Sequence, residues 1–270
     1  MATTLLLVGC GNMGFAMLKG WRVSDPSLEC HVVEPSAELA ARAETTGAQA
    51  VASADQLAPD LDPDLIILAV KPQVMADVVP TYARFAGGPA TFVSVAAGTT
   101  MATLGALLPG PTPLIRCMPN TPAAIGAGMM VCCANAQATQ AAMDLTTTLM
   151  ATSGEVAWIE DEGLMDAVTA VSGSGPAYVF HMIEALTEAA EAVGLPPDLS
   201  GRMAMQTVMG AGAYAARSET PPGTLREQVT SPGGTTAAAL NVLMGEDRLR
   251  KLMRDAVTAA RDRGAELAKG

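Results

Sequence analysis

Short apolar runs closed by turn residues dominate the first part of the chain. Thr4–Val8, Glu29–Val33, and residues 65–70, 91–96 and 114–117 are compact, largely apolar stretches. They end at Gly9, at Glu34, at Lys71-Pro72, at Ala97-Gly98 and just before Met118-Pro119. Continuous apolar runs of this length predict strands buried on both faces of a parallel sheet. Residues 129–134 read as another strand at or near an edge, and residues 138–150 as a helix before Glu155-Val156.

The pattern changes near Asp161-Glu162-Gly163. Beyond it no strand is predicted, and helical stretches cover residues 164–171, 177–193, 199–217, a short segment through Leu225 and Val229, residues 237–244 and Arg248–Leu267. Ser172 to Pro176 interrupts the first two, and Gly194 followed by Pro196-Pro197 stops the second. The helix over 199–217 is apolar on more than one face, which suits burial in a bundle or between subunits. The expected organisation is an α/β domain over residues 1–160 followed by an all-helical domain over 161–270.

Candidate chemistry begins at Gly9-Cys10-Gly11-Asn12-Met13-Gly14, which joins a strand to a helix. In that context the spacing predicts a dinucleotide site. Gly9 permits the tight turn, Gly11 clears space for a pyrophosphate, and Gly14 lets helix and strand pack closely. The helix N-terminus offers free N–H groups to the phosphates. Glu34, ending the second strand, stands where a carboxylate accepts hydrogen bonds from an adenosine ribose; it reads alternatively as a solvated strand end. Its charge disfavours a 2'-phosphate, whereas Ser36 can donate to one, so NAD and NADP both stay open.

Strands ending at Val70, Ala97 and Arg116 line one carboxyl edge, where open α/β folds bind ligands. Lys71, Arg116, Asn120 and Thr121 are therefore candidates for the nicotinamide side. Lys71 is either a catalyst or an end-of-strand lysine. Arg116, followed by Pro119 and Pro122, either fixes polar groups in a rigid loop or holds two domains together.

Composition narrows the class. Half of the 270 residues are hydrophobic and only 3% aromatic, so Ala, Leu, Val and 17 Met must fill the core, with apolar surface left over for a subunit interface. A net charge of −11 argues against nucleic acid as a partner. Cys10, Cys30, Cys117, Cys132 and Cys133 show no disulfide spacing, and with two histidines no zinc site is expected. Without a leader or a spanning segment, the expected chain is soluble, cytoplasmic and free of membrane. His31 falls in a strand, and His181 reads as a core or interface histidine, so no nucleophilic triad forms. Glu184, Glu188 and Glu191 read as a wet face. In Ser231-Pro232-Gly233-Gly234-Thr235-Thr236, Ser231 has N-cap character, and the glycines expose N–H groups beside hydroxyls. This loop is either a carboxylate clamp or a capping loop.

In order along the chain, residues 8–14, 69–73, 94–98, 116–123, 171–178 and 225–236 resemble the pyrroline-5-carboxylate reductase family of proline biosynthesis. The last block, Leu225 to Thr236, is the most specific, because related β-hydroxyacid dehydrogenases share the nucleotide fold without it. The resemblance implies an N-terminal Rossmann dinucleotide-binding domain and an all-helical substrate-binding and dimerisation domain. It implies an obligate homodimer, assembled in some members into a homodecamer. It also implies hydride transfer from NAD(P)H to the imine carbon of 1-pyrroline-5-carboxylate.

Carried over by motif, Glu219, Ser231, Gly234, Thr235 and Thr236 bind substrate, with Thr236 and Lys71 named as catalytic. Gly9, Gly11, Asn12, Met13, Gly14, Glu34, Ser36, Val70, Lys71, Pro72, Ala96, Ala97, Gly98 and Gln228 contact the cofactor. Glu34 is atypical of strongly NADP-selective sites. Two rivals are another imine or 3-hydroxy acid dehydrogenase of similar fold and a non-catalytic nucleotide-binding regulator.

Overall fold

A computed structural model describes residues 3–267. Contacts divide the chain into two units, one running to Gly173 and including the segment from Arg261, the other Ser174–Ala260.

The first unit is built as β1 (Thr4–Val8), α1 (Asn12–Ser24), β2 (Glu29–Val33), α2 (Ala37–Glu44), β3 (Gln49–Val51), β4 (Leu65–Leu68), α3 (Met75–Val78), β5 (Thr91–Ser94), α4 (Met101–Leu107), β6 (Leu114–Met118), β7 (Gly128–Ala134), α5 (Gln140–Ala151), β8 (Gly154–Trp158) and α6 (Met165–Val168). One sheet in the order β3-β2-β1-β4-β5-β6-β7-β8 carries it. Every pairing is parallel except β6 with β7. The strand expected over residues 129–134 at or near an edge is β7, which lies next to the edge strand β8 and runs antiparallel to β6. Between Met118 and Gly128 the chain holds only a tight 3-10 segment at Thr121–Ile125, too little for the crossover of about a dozen residues that a parallel neighbour requires.

Alternation along the strands splits the core in two. Leu5, Leu7 and Ile67 face α1 and α5, where Met17, Trp21 and Leu149 cover them. Leu6, Val8, Ile66 and Leu68 face the other way, onto Met75, Tyr82 and Leu104. This double burial is why the strands read as continuous apolar runs. The buried Trp21 indole donates to the Leu149 carbonyl at 3.0 Å, so its polar atom is satisfied.

Contacts hold the first unit together past the expected boundary at residue 160. Glu162 Oε1 accepts from the Met101 amide at 2.8 Å and from Arg116 at 3.1 Å, and Met165 and Ala170 are buried. A π-helical segment at Thr169–Gly173 follows α6, and a bend at Ser174, inside the expected Ser172 to Pro176 interruption, separates it from the next helix.

The second unit comprises α7 (Gly175–Ala192), α8 (Pro197–Arg217), α9 (Pro222–Gln228), α10 (Thr235–Met244) and most of α11 (Arg248–Leu267). Proline opens α7, α8 and α9, where a missing N–H costs nothing. Among its described residues only Ser200 and Ala204 are buried, both in α8. Phe180, Met209, Tyr214 and Leu252 are more than half exposed. His181 is exposed and sits 3.1 Å from Glu184 one turn on, so it is no core residue. Among the described residues no helix is long and apolar enough to cross a membrane.

Candidate functional site

The carboxyl ends of β1, β2, β4 and β5 form a continuous ledge. Gly9 N–H donates to the Val33 carbonyl at 2.9 Å, Ala69 N–H to Val8 at 2.8 Å and Val95 N–H to Leu68 at 3.1 Å. On this ledge the glycine loop makes its turn. Gly9 has φ +87°, and a Cβ there would meet Val70 Cγ1 at 2.8 Å. A Cβ on Gly14 would lie 2.5 Å from the Gly9 carbonyl oxygen, so only glycine lets α1 begin this close to the loop. The same construction on Gly11 meets nothing within 4 Å, which leaves open space above the loop. No side chain caps the N-terminus of α1 at Gly11. Asn12 and Met13 therefore present unpaired helix-terminal N–H groups to that space, and these residues fit a dinucleotide pyrophosphate.

Glu34 is not a solvated strand end. It is 7% exposed, and its carboxylate accepts from the Cys10 N–H at 2.7 Å and the Ser36 N–H at 2.9 Å. The group expected to wait for a ribose is already bound to the loop. Ser36 caps α2, its hydroxyl oxygen accepting from the Leu39 N–H at 3.5 Å. Sequence reasoning missed Arg42, which stands in the last turn of α2. Its Nη2 donates to the Cys10 carbonyl at 2.8 Å, and its guanidinium stacks 4.3 Å from the Phe15 ring centroid. Cys10 is thus held at both its N–H and its carbonyl. Burial pushes the Cys10 thiol up to about 11, so it is a neutral packing group.

Val70, Lys71 and Pro72 follow β4, and Ala96, Ala97 and Gly98 follow β5. Lys71 is exposed and precedes a short 3-10 turn at Pro72–Val74. A cavity of about 660 Å³ borders these loops, lined by Pro72, Gln73, Ala97, Gly98, Asp166 and Gly264. Another, of about 750 Å³, runs along α1 and meets the glycine loop at Asn12 and Met13.

Two nicotinamide-side candidates prove to be scaffold. Arg116 is 3% exposed and paired with Glu162 at 3.1 Å, because its side chain leaves the middle of β6 into the unit's interior. Asn120 donates through Nδ2 to the Ser172 carbonyl at 3.1 Å and accepts through Oδ1 from the Met129 N–H at 2.9 Å. Its amide is spent tying the β6–β7 connection. Thr121 stays exposed at the start of that 3-10 segment.

In the second unit, Ser231, Gly234, Thr235 and Thr236 come together at the start of α10. Gly233 takes φ +70°, and the Gly234 N–H closes a turn on the Ser231 carbonyl at 3.0 Å. The helix starts at Thr235, with Gly234 as its N-cap and no side-chain cap. This corrects Ser231 as the expected N-cap: the turn over residues 231–234 sets it three residues ahead of the helix's N-cap. The first N–H groups of α10 are left for another acceptor, with two threonine hydroxyls beside them. Glu219 and Gln228 are both exposed, the latter at the end of α9.

Residues 4–98 match the family model described as NADP oxidoreductase coenzyme F420-dependent, and residues 162–267 match that for pyrroline-5-carboxylate reductase dimerisation. A pyrroline-5-carboxylate reductase of Pseudomonas aeruginosa is 39% identical over 98% of this chain and 97% of its own. Among solved structures, that of the Coxiella burnetii enzyme of the same name is 32% identical, with TM-score 0.92 over 99% of both chains. The Plasmodium falciparum pyrroline carboxylate reductase, solved with NADP bound, is 27% identical, with TM-score 0.83 over 98% of both chains. With near-complete coverage at that identity, and a glycine loop and helical unit built as the fold requires, this chain belongs to the pyrroline-5-carboxylate reductase family of NAD(P)-dependent oxidoreductases.

Proposed function

We propose that this chain reduces 1-pyrroline-5-carboxylate to L-proline with NADPH or NADH. The observation that carries the reading is the presence, in one chain, of a loop where glycine alone fits and a helix N-terminus left uncapped beside threonine hydroxyls. The first suits a dinucleotide and the second a small carboxylate. Bound reduced nicotinamide supplies a hydride from C4 to the imine carbon.

The chain's own residues position and exclude. Gly9, Gly11, Asn12, Met13 and Gly14 hold the pyrophosphate end, Glu34 and Ser36 the adenosine end, and Val70, Lys71, Pro72, Ala96, Ala97, Gly98 and Gln228 the nicotinamide end. Ser231, Gly234, Thr235 and Thr236 grip the substrate carboxylate through N–H and hydroxyl donors, with Glu219 close to the substrate. Thr236 fixes the carboxylate and, through it, the orientation of the imine carbon toward the nicotinamide end of the site. Lys71 contributes field and cofactor geometry. The imine is basic enough to react as its iminium, so no strong acid is needed beside the ring nitrogen.

Residues 161–270 form the substrate and dimerisation domain of this scheme and residues 1–160 its dinucleotide domain. The working species is an obligate homodimer, with a homodecamer as the larger assembly, in the cytoplasm. The exposed Phe180, Met209 and Tyr214 support the dimer. Incubation with each cofactor and a panel of pyrroline-5-carboxylate, piperideine carboxylate and 3-hydroxy acids tests the activity. Proline formation from the first is expected; turnover of hydroxy acids alone would overturn the reading.

A further inference from the structure

We infer that Arg42 is a positioning residue that sets the balance between NADPH and NADH, by opposing the charge of Glu34 across the Cys10 peptide. The inference rests on the dinucleotide reading above and concerns a residue outside the glycine motif.

Three observations carry it. Glu34 is buried, and its carboxylate accepts from two neutral backbone amides, those of Cys10 and Ser36. A carboxylate in that position at the end of β2 repels a 2'-phosphate. At the other end of the same residue, Arg42 Nη2 holds the Cys10 carbonyl at 2.8 Å. The guanidinium reaches it because helical side chains lean toward the helix N-terminus, here toward the ligand-binding edge of the sheet. Finally, Arg42 is fixed in place by the Phe15 ring, while its Nε is buried without a hydrogen-bond partner. A guanidinium kept there with one donor unused is held for its charge and its grip on the carbonyl more than for its own pairing. It also lines the cavity beside α1 together with Asn12 and Met13.

The two ends of the clamp therefore have opposite effects on an added phosphate. Glu34 disfavours it, Arg42 compensates, and together they leave a loop able to accept either dinucleotide.

Dissociation constants for NADPH and NADH, measured by calorimetry on the full chain without substrate, separate the roles. Arg42→Ala is expected to weaken NADPH about tenfold more than NADH, the ratio expected for loss of one charge interaction. Arg42→Lys, which keeps the charge, restores most of the ratio, and Glu34→Gln moves it the opposite way. Equal losses for both dinucleotides in Arg42→Ala, or an unmoved ratio in Glu34→Gln, would overturn the inference and leave the proposed reaction standing. Failure of the unmutated chain to bind either dinucleotide would instead remove the dinucleotide reading itself, and this inference with it.

Discussion

In the sheet-bearing unit Leu6, Ile66, Ile67 and Phe92 are fully buried between helical layers, whereas in Ser174–Ala260 side chains as large as Phe180, Tyr214 and Leu252 are more than half exposed. Both regions are rich in apolar residues. They differ in where the partner surface comes from: the first finds it on its own helices, the second lacks one among its own described residues. Exposed apolar surface on this scale marks an interface. The family's dimerisation domain spans residues 162–267, which gives that interface its class. Thus the glycine loop rests on a scaffold complete in one chain, and the uncapped start of α10 belongs to a unit whose burial depends on association.

The contrast breaks most visibly at the exposed face. Phe180→Glu combined with Met209→Glu is expected to weaken self-association roughly a thousandfold, at about 2 kcal/mol for each apolar side chain removed from the centre of an interface. Sedimentation velocity at micromolar concentration should then show monomer, with turnover abolished alongside. A persistent, active oligomer would place the interface elsewhere.

Ile67→Ala probes the opposite side. Its side chain is fully buried in β4, so truncation should lower unfolding free energy by about 2 to 5 kcal/mol in urea titration, while the association constant of the folded protein stays unchanged. A more local lesion, Gly14→Ala, puts a Cβ against the Gly9 carbonyl oxygen. Forcing it in should cost about 1 to 3 kcal/mol, read as weaker binding of both dinucleotides. In the other unit Thr236→Ala should raise KM for pyrroline-5-carboxylate about tenfold, the worth of one hydrogen bond to a charged group, with dinucleotide affinity untouched. Equal damage to both would undo the division of labour between the units.

The smallest effect is one of pH. Burial holds the His31 imidazole below its usual 6.5, so the folded chain disfavours the proton that the unfolded chain accepts. Stability is full above about 6.5 and declines as the pH falls below it, until the folded imidazole also titrates. His31→Gln should flatten that part of the profile in urea titrations.

Much of this contrast was legible in residue order. β1 and β2 match the predicted Thr4–Val8 and Glu29–Val33, because strands buried on both faces leave unbroken apolar runs. β3, only Gln49–Val51, carries too few and too mixed residues to register. The antiparallel turn into β7 was readable in principle from the short Met118 to Gly128 connection, a matter of chain length and not of hydropathy. His181 had its partner Glu184 one helical turn away, a spacing that favours an exposed pair. By contrast, nothing local tells that Glu34 bends onto the Cys10 amide or that Arg42 reaches the Cys10 carbonyl, since both join residues distant in sequence. The same holds for Arg116 and Asn120, whose partners Glu162 and Ser172 lie far along the chain.

The most direct test of the account is isotopic. Reduced nicotinamide cofactor carrying deuterium at the transferred C4 position is supplied to the assembled protein with pyrroline-5-carboxylate, and the product is analysed by mass spectrometry and NMR. The expected result is L-proline with one deuterium on the former imine carbon, formed in step with cofactor oxidation. Cofactor that binds while the imine is left unreduced, or proline that carries no deuterium, would contradict it.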